Sequence, residues 1–480
     1  MPRTTLALTS FVSGELGAKL DGRTDFNKYS TGAKTLENFL VHPQGAATRR
    51  VGTKFVAEVK NSAAKTRLIP FEFSTVQTYV LEFGNQYMRV YKDKGQVLYG
   101  GSAFEISTPY LEAELFEIKF SQSADIMYIC HPNHAARKLA RTGHTSWTLT
   151  EIDFTDGPYL SENTTSTTLT PSGTSGSVNI TASASTFAAT DVGRLVSFSN
   201  GRAKITGFTS ATVVAATTQD DFDNTNAVTA WKLGAFSGTT GHPSCVSFFE
   251  QRLVFAGTIA EPQTLYFSKS GDYENMTTGT NADDAMIYTI ASNQVNRIRY
   301  LKAVRTLIVG TTGGEFTVSA DGTDAAVTPT NIVIKKQSSY GTAEVDAIAA
   351  GNAILFLQKA KRKIRELSYN FDVDGYVAPD LTILNDIVTK SGINEMSYQQ
   401  EPDSILWCVR DDGVFAGLTY QRSENVVAWH RHKLGGTFGT GASATGYGVV
   451  ESVASISGEL TEDELYVIVK RTINGATKDM

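Results

Sequence analysis

The chain is 480 residues long, with 43 Lys and Arg against 49 Asp and Glu, a formal charge of −6, 41% hydrophobic residues and 41 glycines. That length supports two or three domains around a sizeable core, and so mild a charge gives no sign of a nucleic-acid-binding surface or an acidic tail. Three cysteines, Cys130, Cys245 and Cys408, form no paired framework and no CxxC, and no apolar run approaches the roughly 18 residues that cross a bilayer.

The amino terminus, Met1-Pro2-Arg3 followed by threonines, has no signal-peptide core, so synthesis and assembly in a reducing cytoplasm are expected. Residues 1–60 hold nine Lys or Arg against five Asp or Glu, a basic segment on an acidic chain. From Phe26 the positions Tyr29, Ala33, Leu36 and Leu40 follow at spacings of three and four, which predicts one face of a helix. Thr24 or Asp25 caps its start, and His42-Pro43-Gln44-Gly45 ends it because proline cannot continue a helix. Residues 1–60 therefore read as an N-terminal helical docking segment.

Residues 61–159 carry two apolar hairpins, TYVLEFGNQYMRVYK from Thr78 and DIMYICHPNHAARKL from Asp125. Residues 160–240 differ in composition. Ser161 to Thr186 is dominated by Ser, Thr and Gly and reads as a flexible entry; RLVSFSNGRAKITGFTSATVVAATT then offers three short strands turning at Asn200-Gly201, and Trp231 closes the insert. Residues 241–480 resume the hairpins at Leu253, Leu307, Ile354, Ile405 and Leu465, separated by 54, 47, 51 and 60 residues. The two early units lie 47 apart, and removing an 80-residue insert restores the same interval across the gap.

Each unit opens with five to seven β-branched, aromatic or aliphatic residues, the composition of a buried strand. Gly84-Asn85, Gly313-Gly314, Asp412-Gly413 and Asn474-Gly475 can reach the positive φ that tight hairpin turns need. A repeat of about 40–50 residues is one propeller blade, and closing such units into a ring removes exposed strand edges. The fold class expected is mainly β, a β-propeller-like core with an N-terminal helical segment and an inserted small β domain. The last unit is anomalous: few residues follow its turn, so truncation, another segment or another subunit is needed to complete that blade.

No catalytic pattern converges. Asp372-Val-Asp374-Gly375 opens like a calcium loop, but Tyr376 and Ile383 stand where ligands belong. Gly310 to Glu315 lacks the Lys and Ser/Thr of a phosphate loop. His131 and His134, and His430 and His432, have spacings found in metal sites but no Cys or third His beside them. No GxSxG elbow occurs. Neither a metal nor a cofactor is expected.

Two stretches, FVSGELGAKLDGRTDFNKYSTGAKTLENFLVHPQGAATRRVGTKFVAEVK and WKLGAFSGTTGHPSCVSFFEQRLVFAGTIAEPQTLYFSKSGDYENM, resemble tail nozzle proteins (tail tubular proteins B) of short-tailed bacteriophages, and they occur in that family's order. The resemblance implies a non-enzymatic structural protein of the virion tail. It would form a homohexameric tube below the portal and adaptor rings that conducts genomic double-stranded DNA, with tail fibres near the junction and a tip or plug from another protein. A wall that neutralised phosphates would grip DNA, so the lumen is expected to be lined by acidic and neutral side chains, Asp283, Asp284, Asp372 and Asp374 among them. Arg23, Arg49 and Arg50 of the basic segment are expected to pair with carboxylates of the adaptor or of a neighbouring subunit. Two readings of other classes stand beside this one: a propeller enzyme acting on cell-surface glycans, and a lectin-like receptor-binding tail protein that uses the insert as its contact surface.

Overall fold

Each apolar hairpin predicted from the sequence belongs to a larger antiparallel sheet, and all but the last form its middle. The unit at Leu253 comprises strands Arg252–Ala256 and Thr264–Phe267, flanked by Cys245–Phe249 and Met286–Thr289. The computed structural model describes residues 8–322, 325–458 and 462–480; Met1-Pro2-Arg3, read above for a leader, lies outside them. Among the described residues seven such sheets follow one another, and we number them blades 1 to 7. Their first strands are Arg67–Ser74, Lys119–Ser123, Cys245–Phe249, Ile298–Ala303, Ile348–Ala350, Ile393–Gln399 and Val449–Ser457.

The sheets are packed face to face around a ring. One apolar cluster joins blades 1 and 2 (Phe71, Tyr79, Leu139, Trp147), and others join 2 to 3 (Tyr128, Phe255), 3 to 4 (Phe267, Ile298) and 4 to 5 (Tyr300, Phe356). Blades 5 and 6 meet through Leu357 and Leu406, 6 and 7 through Trp407 and Val450, and 7 and 1 through Ile456 and Val80. The last cluster closes the circle: the first strand of blade 7 lies beside that of blade 1. The fold is thus a seven-bladed β-propeller. Burying side chains such as Phe255 and Phe356 contributes about 1.5–3 kcal/mol each, repeated at every interface.

Turn chemistry places the hairpins. Asn474 and Gly475 hold φ of 51° and 79°, and Gly413 holds 74°. In the insert the turn falls one residue earlier than expected, on Ser199 and Asn200 with φ of 50° and 56°. The insert is a six-stranded sheet with its own core of Leu169, Ile180, Val196, Phe198, Ile205 and Val214. Its Ser/Thr/Gly-rich start is not a flexible entry: Leu169–Pro171 and Ser177–Ala182 are strands, because Val178, Ile180 and Ala182 alternate into that core.

The predicted helix from Phe26 to Leu40 does not form. The segment contains a short 3₁₀ turn, Asn27–Thr31, then strands Gly32–Ala33 and Phe39–Val41. Its backbone groups are committed elsewhere: Ser13 N–H donates to Thr31 O, Leu16 N–H to Ala33 O, and Leu36 N–H to a Glu15 carboxylate oxygen at 2.9 Å. Asn38, at φ 63°, breaks the helical path. His42 to Gly45 is a hairpin turn rather than a helix end, pairing Phe39–Val41 with Ala47–Arg49.

Candidate functional site

The amino-terminal segment is seated on the outermost strand of blade 6, Val426–His432. Gly14, at φ 66°, lies where a Cβ would come within 2.3 Å of Trp429 N, so only glycine permits the approach. Glu15 lies 2.9 Å from Arg431 Nε, Asn38 N–H donates to Arg431 O at 2.7 Å, and the Asn38 side chain accepts from Lys433 N–H at 3.0 Å. Beneath them Thr419 Oγ1 donates to Val41 O at 2.7 Å and lies 3.2 Å from His430 Nε2. That leaves His430 Nδ1 to accept from His432 Nε2, 2.7 Å away. Burial pushes His430 down to about 3 and His432 far down, the latter also through His430 and the Arg50 cation. Both rings are therefore neutral struts.

The expected docking arginines differ in availability. Arg23 is spent locally, its guanidinium forming two 2.8 Å bonds to Asp25. Arg49 is exposed and has no ion-pair partner among the described residues. Arg50 is half-buried; its Nη1 donates to Val51 O at 2.7 Å and its Nε is buried without a partner among the described residues.

The four expected lumen aspartates lie on the outer parts of blades 3 and 5. Asp283 and Asp284 sit in the connection to the outermost strand of blade 3, where Asp284 accepts from Asn281 N–H at 3.0 Å and lies 3.2 Å from Lys269 Nζ. Asp372 and Asp374 are at the tip of the outermost hairpin of blade 5, Asp374 accepting from Tyr369 OH at 2.6 Å.

The propeller axis is occupied by charge pairs that spacing in the sequence could not reveal. Arg67 of blade 1 meets Glu395 of blade 6 at 3.0 Å, and Lys119 of blade 2 meets Asp346, ahead of blade 5, at 3.0 Å. Blades 1 and 6 flank blade 7 and blades 2 and 5 lie three places apart, so both pairs sit at the inner ends of the blades, where the first strands of neighbouring blades touch. Arg67 Nη1 also donates to Leu115 O and Ile118 O, while Glu395 Oε2 accepts from Ser452 Oγ at 2.6 Å and Val453 N–H at 2.9 Å. These pairs join the inner ends of blades that are not neighbours.

A further cluster, Glu114, His131 and His134, joins the link between blades 1 and 2 to a hairpin of blade 2, with candidate ligand atoms within 4.8 Å of one another. Glu114, pulled to about 2 against its burial by Leu111 N–H, His134 and Asn133, accepts from His134 Nε2 at 2.8 Å. A cation would need a free ring nitrogen on His131. Its Nδ1, however, accepts from Asn133 N–H at 3.1 Å, which puts the neutral ring's proton on Nε2. Glu114 and His134 are thus a hydrogen-bonded pair, with the His131 ring beside them and its Nε2 buried without a hydrogen-bond partner among the described residues.

No protein-family model and no curated protein sequence matches the chain. Among solved structures it is similar to the Pan2 WD40 domain of Neurospora crassa, at 8% identity over 75% of this chain and 87% of that one with a TM-score of 0.32. It is also similar to YCF48 bound to D1 peptide, at 9% identity, 78% and 83% coverage and a TM-score of 0.36. The Cps50 (Swd1) β-propeller domain of Myceliophthora thermophila matches at 8% identity, 75% and 96% coverage and a TM-score of 0.35. The propeller assignment rests on the seven sheets and their interfaces, not on these distant likenesses.

Proposed function

We propose that the chain is a structural subunit of a short-tailed bacteriophage tail nozzle. Copies of it, six in the family it resembles, would surround a bore for double-stranded DNA below the portal and adaptor, with tail fibres alongside. The observation that carries the reading is the basic head stretch. It resembles the start of nozzle proteins, is followed in order by a second matching stretch, and occupies a place on blade 6 that closing the ring does not require. Arg49 projects from it with no ion-pair partner among the described residues, ready for a carboxylate of another subunit.

In this reading the bore lies between copies, not along the propeller axis, which charge pairs cross. Asp283, Asp372 and Asp374, exposed on the outer parts of blades 3 and 5, are then candidates to face it, whereas Asp284 is buried against Lys269; the acidic balance outside the head lets DNA slide without being held. The test is native mass spectrometry with negative-stain imaging of the purified chain, alone and with the adaptor. Hollow rings of six support the proposal. A solitary molecule that stays single with the adaptor and cleaves glycans rejects it.

A further inference from the structure

The third strand of blade 5, Ile364–Asn370, runs between two turns of opposite chemistry. At the rise of a β-strand its length sets them roughly 23 Å apart, at opposite ends of the blade.

The turn before the strand is basic. Lys359, Lys361 and Arg362 are exposed in it, and Thr389 Oγ1 and Ile393 N–H donate to the Arg362 and Lys361 carbonyls at 2.6 and 2.9 Å, which lays the link to blade 6 alongside. That link adds the exposed Lys390 and two bare isoleucines, Ile383 at 75% exposure and Ile387 at 45%. The carboxylates nearby are engaged: Asp380 lies 3.0 Å from Lys363 Nζ, Asp386 is held by Lys19, and Asp411 accepts from Asn394 Nδ2 at 3.0 Å. Lys359, Lys361 and Lys390 have no ion-pair partner among the described residues.

The turn after the strand is apolar and acidic. Phe371 is 87% exposed, more than any other large apolar side chain among the described residues, and Val373 follows it at 63%. Asp372 and Asp374 stand beside them, both exposed. Asn370 Oδ1 accepts from Asp372 N–H at 2.8 Å and Tyr369 OH donates to Asp374 at 2.6 Å, so the tip is braced. Arg305, on the adjoining turn of blade 4, lies near Tyr369 and forms an ion pair with neither aspartate.

We propose that the two ends of this strand form a contact between copies of the chain. The Phe371–Asp374 tip of one copy docks on the basic turn of the next, its apolar side chains against Ile383 and Ile387 and its aspartates against Lys359, Lys361 and Lys390. Phosphates of a nucleic acid would satisfy the lysines but leave both isoleucines bare; the tip answers both. Two tips, or two basic turns, would set like charges together. The joint is therefore head to tail, the kind that closes into a ring or runs on as a filament according to the rotation between copies. In a ring Asp372 and Asp374 lie in the joint, which leaves Asp283 to face the bore. The contact rests on the reading that copies of this chain associate, and it names the surfaces they use.

The test uses the full chain, whose own three cysteines are buried. Val373→Cys and Ile383→Cys together in one chain should give, under mild oxidation, a ladder of cross-linked copies on a non-reducing gel. Either substitution alone should leave the chains single, and a one-to-one mixture of the two variants should stop at dimers, because each copy then carries a thiol at one end only. Lys361→Glu should weaken association at least about tenfold in sedimentation with melting unchanged, and adding Asp372→Lys to the same chain should restore it. Rings that form in the parent while the double-cysteine chain fails to cross-link overturn this contact and leave the tail reading standing. So do single-cysteine variants that cross-link as fast as the pair, the mark of a symmetric joint, and a Lys361→Glu chain that keeps its rings but releases the adaptor, which assigns the basic turn to that partner. A parent that stays single with the adaptor present removes both readings.

Discussion

Buried charges make individual residues of this propeller sensitive to substitution. Glu395 has lost its water and is held by Arg67, Ser452 Oγ and Val453 N–H. Removing one partner of such a pair leaves the other charge uncompensated, so Glu395→Ala should lower stability by about 3–5 kcal/mol in urea unfolding. Glu395→Gln, which can still accept from Ser452, should lose less. Asp479 supplies a pH signal. Burial first, then the nearby Glu451, pushes it up to about 7 against the pull of Lys470. An aspartate in the unfolded chain titrates near 3.9, so the native state holds this proton more tightly. Its contribution to stability is complete below about pH 4 and is lost as pH rises through about 7. Melting temperatures at pH 5 and pH 8 should therefore differ more in the parent than in Asp479→Asn, where that decline is removed.

At the scale of elements, the hairpins were legible because a strand between two blades must be apolar on both faces and must end in residues that turn. Leu253, Leu307, Ile354 and Ile405 each begin such runs, and their strands are fully buried. The flanking first and fourth strands, such as Ile332–Ser338 with its exposed Lys335 and Lys336, lack that signature and were hidden. The head segment misled for a physical reason: Tyr29, Ala33, Leu36 and Leu40 fall at helical spacing, yet the backbone between them is taken by residues 13–16 and by blade 6. The axial pairs were illegible because their members come from different blades; His131 and His134 stood out by their spacing, but Glu114, which comes from the link between blades 1 and 2, did not. Gly14 tests whether the head depends on that seating. Gly14→Ala forces a side chain onto the Trp429 backbone at a positive φ, a cost of about 1–3 kcal/mol. Limited proteolysis should then cut the head segment while the blades stay resistant.

The whole molecule poses the question of assembly, and Arg49 is where it can be asked without disturbing the fold. The residue ends the short strand Ala47–Arg49, is exposed, and has no ion-pair partner among the described residues. Surface substitutions of this kind usually change stability by less than about 0.5 kcal/mol, so Arg49→Glu should melt as the parent does. If the head faces a carboxylate of a neighbouring subunit or adaptor, the reversed charge places like against like at a contact that excludes water, which costs several kcal/mol per interface. A ring repeats that cost at every junction. Native mass spectrometry should then find the variant folded and single at concentrations where the parent forms rings, and low salt should deepen the difference because screening is weaker. Arg23→Glu is the contrasting control. Its guanidinium is already held by Asp25, so its reversal should leave rings largely intact. Equal ring populations in the parent and Arg49→Glu would place the subunit contact elsewhere on the propeller.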